Sequence, residues 1–189
     1  VVAPDVPQEL EPMLPKETQP LSQPEQPVRT RRLTPPKSYS GTNRRVRVGS
    51  ASDIGGRGNN EDAALTVMTS TDVTGSPPPI GLFMVADGMG GHQNGEVASS
   101  IAVRTVAQAV IRDIVMPQLE GRDINSADQK TIPEVLVDAM AAANTAVQLE
   151  VPGGGTTATC AVIRGDLAYV AHVGDSRAYL VTDGNLELI

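Results

Sequence analysis

Apolar and polar positions fall into two periods along the chain. Val46 and Val48 alternate with Arg47 and Gly49, and a second apolar stretch, Ala63 to Met68, follows the first loop; both predict strands. Ser70 to Pro79 reads as an excursion closed by three prolines. Ile80 to Ala86 is a continuous apolar run that halts at Asp87-Gly88, the pattern of a buried central strand. From Glu96 to about Val115 the period changes. Glu96, Ser100, Arg104, Gln108 and Arg112 recur every four residues opposite Val103, Val106, Val110 and Ile114, which predicts an amphipathic helix ended by Pro117 and Gly121. Thr131-Ile-Pro-Glu134 is a capping box with proline in the first turn, opening a second helix to Glu150. Thr156 to Ile163, Leu167 to Val173 and Arg177 to Val181 are strand-like, and Asp183-Gly184 is a hairpin signal before Leu186 to Ile189. Strands, two helices, then antiparallel strands argue for an α+β layered domain and against a parallel βαβ sheet.

Composition divides the chain. Residues 1–45 hold nine of the fifteen prolines and no glycine before Gly41, too little apolar surface to offset ordering entropy, so they are expected to form a disordered Pro-rich linker. Residues 46–189 form the globular part. Between Arg29 and Arg47 lie seven basic residues and no acid, read as a soluble tether; a basic arm for nucleic acid or acidic lipid is the rival reading. The globular part carries 8 Lys plus Arg against 17 Asp plus Glu, a net −9, so chemistry on phosphates there needs cations. Aromatics are 2%, which argues against stacking surfaces for single-stranded nucleic acid. Cys160, alone, closes no internal disulfide, and no apolar run reaches bilayer length; a cytoplasmic, monomeric protein is expected. The start at Val-Val is expected to mean either that the beginning has been removed or that this is a piece of something longer, with a membrane-anchored or multidomain parent left open.

Three places set acids beside apolar strands: Asn60-Glu61-Asp62, Asp87-Gly88 and Gly174-Asp175-Ser176. Singly, each is the mark of a turn. Together, carboxylates from separate strand ends converge on one mouth of a sheet, where they repel unless divalent cations lie between them. Oxygen donors with almost no His or Cys point to magnesium or manganese, not zinc or copper. In Asp87 to Glu96, glycines at 88, 90, 91 and 95 let the main chain approach an ion or its waters; no Gly-Lys-Ser/Thr follows, so this is not a nucleotide loop. Arg57, in a glycine-rich stretch just before Asn60, has the forked donors that suit a phosphate.

These stretches resemble the metal-dependent protein phosphatases, the type 2C serine/threonine phosphatase family, and within it the bacterial branch. SDIGGRGNNEDA (Ser52 to Ala63) is similar to the family's opening motif and FMVADGMGGHQNGEVAS (Phe83 to Ser99) to its central metal motif. GGGTTATCAV and AYVAHVGDSRAYLV, between Gly153 and Val181, are similar to its middle strands. The resemblance implies two antiparallel sheets sandwiched between helices, here a partial four-layer α-β-β-α sandwich. It also implies a two-metal site in which Asp87 bridges the ions, the Gly88 carbonyl ligates one, and Glu61 and Asp62 bind directly or through waters. Arg57 would hold the substrate phosphate and Asp175 would serve a third, weaker metal. The implied reaction is hydrolysis of phosphoserine and phosphothreonine in proteins by a metal-activated water, without a phosphoenzyme.

The sequence departs from the family pattern in three ways. Gly55 and Arg57 stand one residue closer than in relatives. Met89 occupies the place of a histidine proposed as general acid in animal members, a role not passed to His92; His172 is expected to be a strand residue satisfied by its neighbours. Two late metal-binding aspartates of the family have no counterpart before Ile189, so this chain is expected to expose an apolar inner sheet face, to bind ions weakly and to turn over little. A non-catalytic docking module on the same scaffold is the alternative.

Overall fold

A computed structural model describes residues 46–69, 77–90, 94–122, 126 and 128–189. The expected linker, residues 1–45, lies outside the described residues, as does His92.

Strands β1 (Asp62–Met68), β2 (Ile80–Met89), β4 (Ala158–Arg164) and β5 (Leu167–Val173) form an antiparallel sheet in that order, and the short β3 (Gly155–Thr156) pairs with the end of β2. A hairpin of β6 (Tyr179–Thr182) and β7 (Asn185–Leu188) makes a second antiparallel sheet. Its turn has φ 48° at Asp183 and 82° at Gly184, the left-handed pair that an Asp-Gly hairpin supplies. Helices α1 (Asn94–Val110) and α3 (Ile132–Glu150) cover one face of the large sheet. The α+β class with two antiparallel sheets and flanking helices is therefore as expected.

The core lies between helices and sheet. Ile80, Leu82, Met84 and Ala86 alternate along β2 toward the helices, joined by Cys160 and Val162 of β4, and meet Ala98, Ala102 and Val106 of α1 and Leu136 of α3. Each large aliphatic side chain taken fully from water contributes about 1.5–3 kcal/mol. The other side of β2 presents Phe83, Val85 and Asp87; Val85 is 50% exposed, so this apolar face stands open among the described residues.

Three sequence expectations need correction. Val46 to Gly49 forms no strand: no strand pairs with it among the described residues, and Val48 is exposed. β2 runs past Asp87-Gly88 to Met89, because β1 pairs with it up to Asp87 and β3 continues the ladder at Gly88 and Met89. Pro117 does not end the first helix. α1 passes through a π-helical turn, Ile111–Val115, into α2 (Met116–Leu119); there the Met116 amide bonds back to Ile111, five residues away, and the wider turn accommodates the proline. Buried Gln118 ties α2 to the sheet, donating to the Pro78 carbonyl at 3.0 Å and accepting from Arg164 Nε at 3.2 Å. Gly121, at φ 74°, follows the end of α2. The capping box is as the sequence predicts, with Thr131 Oγ1 accepting from the Glu134 amide and Glu134 Oε2 accepting from the Thr131 amide.

Candidate metal centre

Asp62 opens β1 and Asp87 lies near the end of β2, and the strand register sets them directly opposite each other. Asn60 fixes the first of them: its Oδ1 accepts from the Asp62 amide at 3.0 Å, while its Nδ2 donates to Ser52 Oγ at 2.8 Å. The Asp87 carboxyl is raised above its ordinary range. Partial desolvation is the first cause, followed by the neighbouring Asp62 charge; Arg57 opposes both, and Asp175 adds a smaller repulsion.

Glu61 turns away from this pair. Its carboxylate lies against Gly95 at the start of α1 and stands 3.5 Å from Arg57 Nη1, while its carbonyl accepts from the Gly88 amide at 3.0 Å. A Cβ on Gly88 would fall 2.0 Å from the Gly95 carbonyl oxygen, so the strand end and the helix start meet backbone to backbone. Arg57 is exposed at the same mouth, in a loop held by the Gly55 amide donating to Asp53 Oδ1 at 2.7 Å.

Asp175 sits in the turn between β5 and β6, where Gly174 has φ 105°. Its charge reaches Asp87. Thus Asp62 and Asp87 come together, Gly88 adjoins them, and Arg57, Glu61 and Asp175 surround them. Among the described residues no three His, Cys, Asp or Glu side chains close into one metal-holding group. The donor set fits a hard dication at the aspartate pair, whose like charges repel without one.

Sequence reasoning missed the groups behind the pair. Thr157 Oγ1 accepts from the Asp87 amide at 2.9 Å and bonds Ser176 Oγ at 2.7 Å. The Thr157 amide donates to the Asp87 carbonyl at 2.9 Å, which also accepts from Thr156 Oγ1 at 3.0 Å. Two threonines following three glycines were the available signal. His172 is satisfied by its neighbours as expected, between Thr159 Oγ1 at 2.8 Å and the Gly174 carbonyl at 2.9 Å.

Comparison with known proteins follows the same residues. The sequence profile described as Protein phosphatase 2C matches residues 48–188. The chain belongs to the protein phosphatase 2C family. Within that family it is 38% identical over 100 residues to the serine/threonine phosphatase stp of Listeria innocua, covering 53% of this chain and 38% of that protein. The crystal structure of serine/threonine phosphatase Stp1 from Staphylococcus aureus is 27% identical, with a TM-score of 0.51 over 78% of this chain and 56% of that one. A structure of the catalytic domain of serine threonine protein phosphatase PstP, in complex with two manganese ions, is 32% identical; it covers 70% of this chain and 49% of that one, with a TM-score of 0.47. The chain therefore spans between about a third and a little over half of these 2C relatives.

Proposed function

We propose that residues 46–189 carry the Asp62–Asp87 part of a metal-dependent protein serine/threonine phosphatase centre, with residues 1–45 as its tether. The observation that carries this reading is the cross-strand aspartate pair, Asp62 and Asp87 set directly opposite each other by the strand register, close enough for the Asp62 charge to raise the Asp87 carboxyl. Asp62, Asp87 and the Gly88 carbonyl would hold two divalent cations, manganese or magnesium, with Glu61 beside them and Asp175 serving a third. Such ions, when bound, offset carboxylate repulsion, screen the phosphate and make water more acidic.

The chain's own groups do the rest. The strand register sets the Asp62 and Asp87 backbones opposite each other, so both carboxylates issue from one place on the sheet. Arg57, exposed at the mouth, offers paired N–H donors to two phosphoryl oxygens and exchanges its contact with Glu61 for the substrate. A thiolate mechanism is disfavoured: Cys160 lies buried on the helix side of the sheet, and desolvation pushes its thiol up to about 12. Both ring nitrogens of His172 are engaged, so it is not the proton donor to the leaving group. Phosphoserine and phosphothreonine proteins are the substrate class, and a monomer in the cytoplasm is the working form. No helix of the described residues is long and apolar enough to cross a membrane.

The test is Mn2+ binding by titration calorimetry together with hydrolysis of an aryl phosphate. The chain should take up Mn2+ weakly and turn over slowly, and Asp87→Asn should lower the affinity at least about tenfold. Equal Mn2+ affinity in wild type and Asp87→Asn refutes the proposal.

A further inference from the structure

We propose that Thr157 is the positioning residue that locks the Asp175 turn to the strand carrying Asp87, making two separated parts of the centre one rigid unit. The inference rests on the metal reading above. Thr157 is buried, at 7% exposure, in the single-residue gap between β3 and β4. It holds the two peptide groups that flank the Asp87 Cα: its hydroxyl accepts the Asp87 amide proton at 2.9 Å, and its own amide donates to the Asp87 carbonyl at 2.9 Å. The same hydroxyl reaches Ser176 Oγ at 2.7 Å, on the far side of Asp175. A threonine hydroxyl has one proton and two lone pairs, so it serves the amide and the serine together whichever of the two hydroxyls donates.

The methyl group has a second task. A Cβ on Gly174 would fall 2.7 Å from Thr157 Cγ2, so the turn lies directly on the threonine, and at φ 105° Gly174 adopts a backbone conformation that side chains disfavour. His172 Nε2 meets the Gly174 carbonyl at 2.9 Å and closes the turn from the strand side. Asp175 thereby stands between two residues that are both held by groups at the end of the large sheet. Its position relative to Asp87 is set by a buried hydroxyl, not by a free loop. Partners of this kind behind metal ligands typically carry 10–100-fold in affinity.

The experiment compares wild type, Thr157→Val, Thr157→Ser and Ser176→Ala in the 189-residue chain. It reads 15N relaxation for Gly174 to Arg177, amide exchange at Asp87, and Mn2+ affinity by calorimetry. Thr157→Val should speed Asp87 amide exchange at least about tenfold, drop the turn's order parameters from about 0.85 toward 0.6, and weaken Mn2+ about tenfold or more. Thr157→Ser keeps both hydroxyl bonds, so Asp87 amide exchange should stay within about threefold of wild type, while loss of the methyl under Gly174 should loosen the turn less than Thr157→Val does. Ser176→Ala, a milder change that retains the Asp87 bond, should loosen the turn and leave Asp87 exchange unchanged. Unaltered turn dynamics in both Thr157→Val and Ser176→Ala overturn the lock. Loosened turns with no Mn2+ uptake even by wild type overturn the metal reading and the positioning role with it, and the relaxation data separate that failure from a failed lock.

Discussion

Gly88 shows how little room a site of this kind leaves. Its missing side chain is what lets the Gly95 carbonyl approach, and α1 then lies against the strand that carries Asp87. Gly88→Ala forces two backbones apart. It should cost about 1–3 kcal/mol or more, read as a lower denaturant midpoint, with loss of Mn2+ binding beyond that. The exposed Arg57 side chain, by contrast, pairs with Glu61 at the edge. Arg57→Ala should leave the midpoint within about 0.5 kcal/mol of wild type and raise KM for a phosphopeptide in steady-state assays of a catalytically competent protein. At this scale the acids were legible because chemistry demands their type: Asp62, Asp87 and Asp175 stand beside apolar runs in the sequence itself. Thr157 and Asn60 were not. A hydroxyl or amide that bonds to backbone leaves no periodic trace, and its partner at Asp87 is 70 residues away in the chain.

At the scale of elements, local rules were readable and long-range ones were not. Thr131 and Glu134 declare the start of α3 within four residues, and both reciprocal bonds form. Removing the cap with Thr131→Ala should cost about 1 kcal/mol by denaturant titration. The Glu134 carboxyl is held below its ordinary range, chiefly by the hydrogen bonds from the Thr131 side chain and amide. A depressed folded-state value means that its contribution is present above the ordinary carboxylate pKa and is lost as pH falls through the lowered one. Stability of wild type should therefore drop below about pH 4 by more than that of Glu134→Gln, in parallel acid titrations followed by circular dichroism. The π-helical turn at Ile111–Val115 and the extension of β2 depend on tertiary partners, Gln118 against Pro78 and β3 against Gly88, that no window of local sequence contains. Val46 to Gly49 erred in the opposite direction: alternation was present, but a strand exists only where another lies beside it.

For the whole molecule, the large sheet is dressed on one side only among the described residues. Phe83 and Val85 on the bare side, with Val181 and Leu186 of the hairpin, leave apolar surface in water. Dye binding and concentration-dependent self-association should follow, and Val85→Lys should reduce both in light scattering without altering the helix signal. The covered side has the opposite character. Cys160 there is 1% exposed, and its thiol is held in the unreactive protonated form. Native protein should resist alkylating reagents, and each labelled molecule should record one moment when the sheet parted from its helices. The cysteine is thus an internal clock for unfolding, readable by mass spectrometry of the alkylated chain with no engineered residue.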